Sequence, residues 1–127
     1  MSDAPPPAGE RSLAVRAEAL YLVNLTLLPG IAFLMLWRMH SRLAAARDGF
    51  AGQHVRQAFV ASIWSGALLV LAVGSLVALG DLHKPGTWIA IITYVICVHS
   101  LLVFGGVVGL ARAMAGQPWR YPLIGPR

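Results

Sequence analysis

Long apolar runs separated by short polar breaks predict three membrane-spanning helices, at about residues 19–37, 58–79 and 88–111. The third run, Trp88–Ala111, holds 24 residues without Asp, Glu, Lys or Arg. A helix of that length covers roughly 36 Å, enough to cross a hydrocarbon core of about 30 Å with some tilt. The run lacks the strict alternation of a barrel strand, and in lipid only a helix or a closed barrel satisfies its own backbone. The first run is less regular. Asn24 and Thr26 are polar, and Pro29-Gly30 near its middle predicts a kink, because proline removes a helical hydrogen bond.

The breaks carry their own pattern. Residues 1–12 are rich in proline and poor in large apolar groups, which predicts a disordered tail ahead of a single helical domain at 13–127. In 38–57, Met39, Leu43, Ala46 and Phe50 recur at three and four residues, predicting a short interfacial helix before span two that ends at Asp48-Gly49 and Gly52. Along span two, Ser62, Gly66 and Gly74 fall on one four-residue repeat, and Gly105 and Gly109 do the same on span three. Small residues four apart let helix backbones approach closely, so spans two and three are expected to pack as an antiparallel hairpin. The turn-rich segment 80–86 is short enough to join them. The fold class is therefore all-α integral membrane, with three transmembrane helices.

Composition agrees: 57% of residues are hydrophobic and 12% charged, against about a quarter charged in ordinary soluble domains. The net charge of +5 resides in arginines flanking the apolar runs, which points to anionic lipid headgroups and not to nucleic acid. With three crossings, Lys and Arg number three on one side and seven on the other. The expected arrangement is N-terminus out and C-terminus in, in a bacterial inner membrane. The lone Cys97 excludes an intrachain disulfide and a multi-cysteine zinc site.

Candidate chemistry is sparse. The five acids all fall outside the spans, so neither a hydrolytic triad nor a proton-relay carboxylate can be assembled within them. Phosphate-loop, dinucleotide and paired-histidine zinc motifs are absent. No enzyme activity, cofactor or metal is expected. His99 is the one ionisable side chain near the middle of a span; it is a candidate haem or quinone contact, or a neutral histidine bonded to Asn24 or Thr26. A second constellation lies at the cytoplasmic boundary, where His54, Arg56 and Gln57 open span two and Trp119, Arg120, Tyr121 and Pro122 follow span three. If the spans pair, these meet at one level, with an aromatic ring over Arg56 and the prolines holding the tail down as a lid.

These two motifs carry a resemblance. His54, Gln57 and Ala58, with Gly116, Trp119, Arg120, Tyr121 and Pro122, make the chain resemble the Tic20-like small membrane proteins of bacteria (DUF4870) over about residues 15–124. The resemblance implies an all-helical membrane domain and supplies no reaction. The function expected is a non-enzymatic inner-membrane protein, a subunit or assembly partner that associates with itself or with other membrane chains. Two alternatives stand beside it. One is a translocation or channel-like component with a path lined by Asn24, Thr26 and His99. The other is a redox subunit using His99.

Overall fold

Pro29 and Gly30 do more than kink the first apolar run: they divide it into two helices that fold back on each other. In the computed structural model, which describes residues 4–46 and 48–126, α1 runs Ala8–Thr26 and α2 runs Ile31–Arg42. Gly30 adopts φ +88°, a conformation that side chains other than glycine rarely take, and its N–H donates to Asn24 Oδ1 at 3.1 Å. Asn24 thus ties the turn from inside. The arms run antiparallel, so Arg16 of α1 and Arg42 of α2 line one groove.

This hairpin leaves the expectation of three crossings without support. Two helices are long and apolar enough to cross a membrane, Phe50–Leu79 and Pro85–Met114. In each, only 17% of the most apolar stretch is buried inside the protein, so neither is the core helix of a soluble domain. The twelve residues of α2 rise roughly 18 Å, whereas each 30-residue rod rises roughly 45 Å. The hairpin therefore ends beside the middle of the rods. The short interfacial helix is also absent: α2 continues to Arg42, a single 3₁₀ turn covers Ala44–Ala46, and the next helix opens at Phe50. Gly52, expected as a breaker, lies buried within that helix. Arg47, residues 1–3 of the expected disordered tail, and Arg127 lie outside the described residues.

The first rod consists of α3 (Phe50–Gly66), a π turn (Ala67–Leu71) and α4 (Ala72–Leu79); the second is α5 (Pro85–Met114). They are antiparallel, as expected, but they are not packed along their whole length. α1 lies between α3 and the second half of α5, and the rods meet mainly through the π turn, α4 and the first half of α5. The wider turn loosens the backbone ladder, and the Leu68 carbonyl there accepts a hydrogen bond from Tyr94 of α5 at 2.8 Å. One face of α1, made by Ala14, Ala17, Glu18 and Tyr21, is fully buried at helical spacing. Its two alanines allow close approach, and Gly106 of α5 accepts the Tyr21 ring against bare backbone.

The start of α1 and the end of α5 consequently sit at one end of the bundle. Pro6 lies 3.1 Å from where a Cβ on Gly116 would stand, and Ala51 N–H donates to Glu10 Oε2 at 3.4 Å. An N-out, C-in arrangement requires an odd number of crossings and does not fit this geometry.

The turn supplies a prediction. No atom lies within 4 Å of a Cβ built on Gly30 or on Gly74, so neither substitution to alanine creates a clash. Gly30→Ala should nevertheless lower stability by about 1–3 kcal/mol through backbone strain. Gly74→Ala, in a helix, should raise it by roughly 0.5–1 kcal/mol. Thermal melts in one detergent compare the two directly.

Candidate functional site: a buried Glu–His–Tyr clasp

The most polar place in the interior is built from three elements that are distant in sequence. Glu18 of α1 and His54 of α3 are both fully buried, with Oε1 and Nδ1 2.8 Å apart. The other carboxylate oxygen accepts a short hydrogen bond from the Tyr121 hydroxyl, which the C-terminal tail brings back over the bundle. His54 Nε2 lies 3.0 Å from the Gln117 carbonyl oxygen. A carbonyl can only accept, so Nε2 carries a proton. That leaves two arrangements. Either a histidinium donates to a carboxylate, or a protonated Glu18 donates to Nδ1 of a neutral ring. Both satisfy all the polar atoms of the pair.

Gln57, one turn further along α3, completes the attachment. Its Oε1 accepts from the Tyr121 backbone N–H at 3.2 Å, and its Nε2 donates to the Pro126 carbonyl at 3.3 Å. The tail cannot bond to itself as a helix, because Pro118 and Pro122 interrupt it. Side chains of α1 and α3 therefore supply its partners. The Tyr121 ring also packs on Tyr21, with centroids 5.1 Å apart. Chemically, the arrangement can share a proton between Glu18 and His54 and hold the tail. It offers no open position for a substrate, since its polar groups are buried and occupied by one another.

Burial, and secondly the Glu18 carboxylate, push the Tyr121 hydroxyl far above its ordinary range. A raised tyrosine pKa adds stability that is complete below the unfolded value of about 10 and is lost as pH rises above it. The melting temperature should therefore fall above about pH 10, and Tyr121→Phe should flatten that fall. A series of melts at increasing pH measures it.

The structure brings His54 and Gln57 to Gln117 and Tyr121. Trp119 packs edge-on to Tyr121, with centroids 6.0 Å apart. Arg56, Arg120 and Trp119 line a shallow cavity of about 450 Å³ above the clasp, and Pro122 is exposed in the tail. Ser62 is buried in α3, while Gly66 and Gly74 face open space. Gly105 lies against the Tyr121 ring and Gly109 against Glu18 and Tyr121, so these α5 glycines admit the clasp and do not meet the glycines of the first rod. His99 is half-buried on α5. Asn24 and Thr26, its expected partners, are engaged within the hairpin, Thr26 donating to Leu22 O at 2.7 Å.

Glu18 is what the sequence reading missed. A span boundary drawn at Ala19 places the carboxylate just outside the apolar run. The signal that could have found it is the face Ala14-Ala17-Tyr21, on which Glu18 falls.

Residues 9–127, which include nearly all of α1 and every later element, match the MamF/MmsF magnetosome magnetite crystal formation protein family. The chain belongs to this family. It is a family of membrane proteins involved in magnetosome formation, which agrees with two rods that bury so little of their apolar surface within the protein. No curated protein and no solved structure matches the chain. The family match overturns the Tic20-like (DUF4870) resemblance and removes the ground on which a translocation role stood. The short motifs behind that resemblance have a local explanation: His54, Gln57 and Tyr121 fasten a tail to a helix, a need that any two-rod bundle with a returning tail can share.

Proposed function

We propose that this MamF/MmsF-family chain acts in magnetite crystal formation as a non-enzymatic, two-span membrane protein, a subunit or assembly partner in the bacterial membrane where the crystal forms. The observation that carries the reading is the family match across 9–127. Two features support it. The interior acid and histidine are fully buried and close on each other, and both rods present apolar side chains outward, among them Val70, Leu101 and Phe104. Lipid or neighbouring subunits must cover those side chains.

Charge supports an orientation. Among the described residues, Arg11, Arg16, Arg38, Arg42, Arg56, Arg112 and Arg120 belong to the end where α1 begins and α5 ends, and Lys84 alone lies at the far turn. This asymmetry is steeper than three crossings would give, and it favours a cytoplasmic location for the arginine-rich end and both termini.

The test is genetic. In a magnetite-forming bacterium lacking its own members of the family, crystals imaged by electron microscopy should be altered in size or number. Expression of this chain should restore them. Crystals left unchanged by the loss, or not restored by a chain shown to reach the membrane, would overturn the proposal.

A further inference from the structure

The hairpin holds a second site, separate from the clasp. Between α1 and α2 runs a groove of about 930 Å³, with Arg16, Arg38 and Arg42 on its walls beside Leu20, Val23 and Met35. No acidic residue lines it, and none of the three guanidiniums has a hydrogen bond or ion pair among the described residues. Arg38 and Arg42 are four residues apart and share a face of α2, with Arg16 facing them from α1. Gathering three like charges without a counter-charge is unfavourable, and an anion reverses the sign.

The groove is graded along its length. Arg16 and Arg42 stand at the open end of the hairpin, whereas Val23 and Met35 lie near the closed tip at Pro29-Gly30. A free inorganic anion has no use for the apolar floor, and a purely apolar ligand has none for the arginines. The volume lies at the upper end of the roughly 300–1,000 Å³ typical of small-molecule sites. We infer that the groove binds one anionic phospholipid, its phosphate held by Arg16, Arg38 and Arg42 and an acyl chain laid along Leu20, Val23 and Met35. Basic pockets between membrane helices are suited to such headgroups. The inference rests on the two rods crossing the membrane, as proposed above, which sets the hairpin packed beside them in lipid.

Native mass spectrometry of the detergent-solubilised chain tests it, with phosphatidylglycerol and phosphatidylcholine of identical acyl chains as probes. One phosphatidylglycerol per chain should be retained in preference to phosphatidylcholine. Arg38→Gln/Arg42→Gln should reduce that preference by roughly fivefold per guanidinium. Arg56→Gln/Arg120→Gln, which removes the same charge at the same end but outside the groove, should leave it intact. Val23→Trp, which fills the floor and keeps every charge, should also expel the lipid. Melting temperatures of all variants establish that they are folded. Equal retention of the two lipids, equal loss in both arginine pairs, or displacement by inorganic phosphate would each overturn the inference. A chain that stays dispersed in buffer without detergent would instead defeat the membrane reading beneath it.

Discussion

Glu18→Leu should lower stability by about 2–5 kcal/mol, because two buried polar groups lose their partners, and release the C-terminal tail. The substitution keeps the bulk of the side chain and removes both oxygens. His54 Nδ1 and the Tyr121 hydroxyl then remain in the interior without the partners that now hold them, and a buried polar group left unpaired carries its full desolvation cost. Arg120 is exposed already, but its backbone is held by the clasp; once released it can enter the cleft of trypsin, so limited proteolysis should remove the C-terminus of the variant while sparing the parent chain. Glu18→Gln is the informative companion. Its amide can donate to Nδ1 while its carbonyl oxygen accepts from Tyr121, reproducing the bonds of a protonated Glu18. Its cost should be about 1 kcal/mol, with the tail still protected. A glutamine variant as damaged as the leucine variant would mean that the clasp depends on ionic charge.

The second large effect is expected at Gly106. A Cβ there would lie 2.6 Å from Leu22 Cδ2 and 2.7 Å from the Tyr21 ring. Tyr21 cannot easily retreat, because its hydroxyl lies 3.2 Å from Ser65 Oγ and donates to the Leu102 carbonyl at the same distance. Gly106→Leu should therefore push α1 away from α5 and cost about 3 kcal/mol, the upper part of the usual range for overpacking. Gly74→Leu adds the same atoms where nothing lies within 4 Å, and should leave stability unchanged or raise it by up to about 1 kcal/mol as a helical glycine is replaced. Melting in a common detergent separates the two. Equal effects would mean that α1 does not lie against α5 as described.

The two long rods were legible in the sequence because length and apolarity alone define them. The first run was misread for a definite reason. Hydropathy records how apolar Ala19–Trp37 is but not its direction, and Pro29-Gly30 is compatible with either a kink or a reversal. What decides is that Gly30 takes a positive φ and that Asn24 bonds back to it. The packing stripes were visible as small residues, but not their partners: Gly105 receives the Tyr121 ring and Gly109 receives Glu18 and Tyr121, because α1 and the tail occupy the space between the rods. The boundary motifs around His54 and Tyr121 stood out by composition. Their link, Glu18, lies 36 residues before His54 and 103 before Tyr121, and no local pattern connects positions so far apart.

The reversal at Pro29-Gly30 is the claim on which the rest depends, and sidedness tests it most directly. In a Cys97→Ser background, single cysteines at Ala4, Leu82 and Leu123, all exposed, can be challenged in intact spheroplasts with a maleimide that does not cross membranes. The account predicts labelling of Leu82→Cys from outside, with Ala4→Cys and Leu123→Cys labelled together, and only after permeabilisation. Labelling of Ala4→Cys alongside Leu82→Cys, with Leu123→Cys protected, would mean that the first segment crosses fully and would contradict the hairpin.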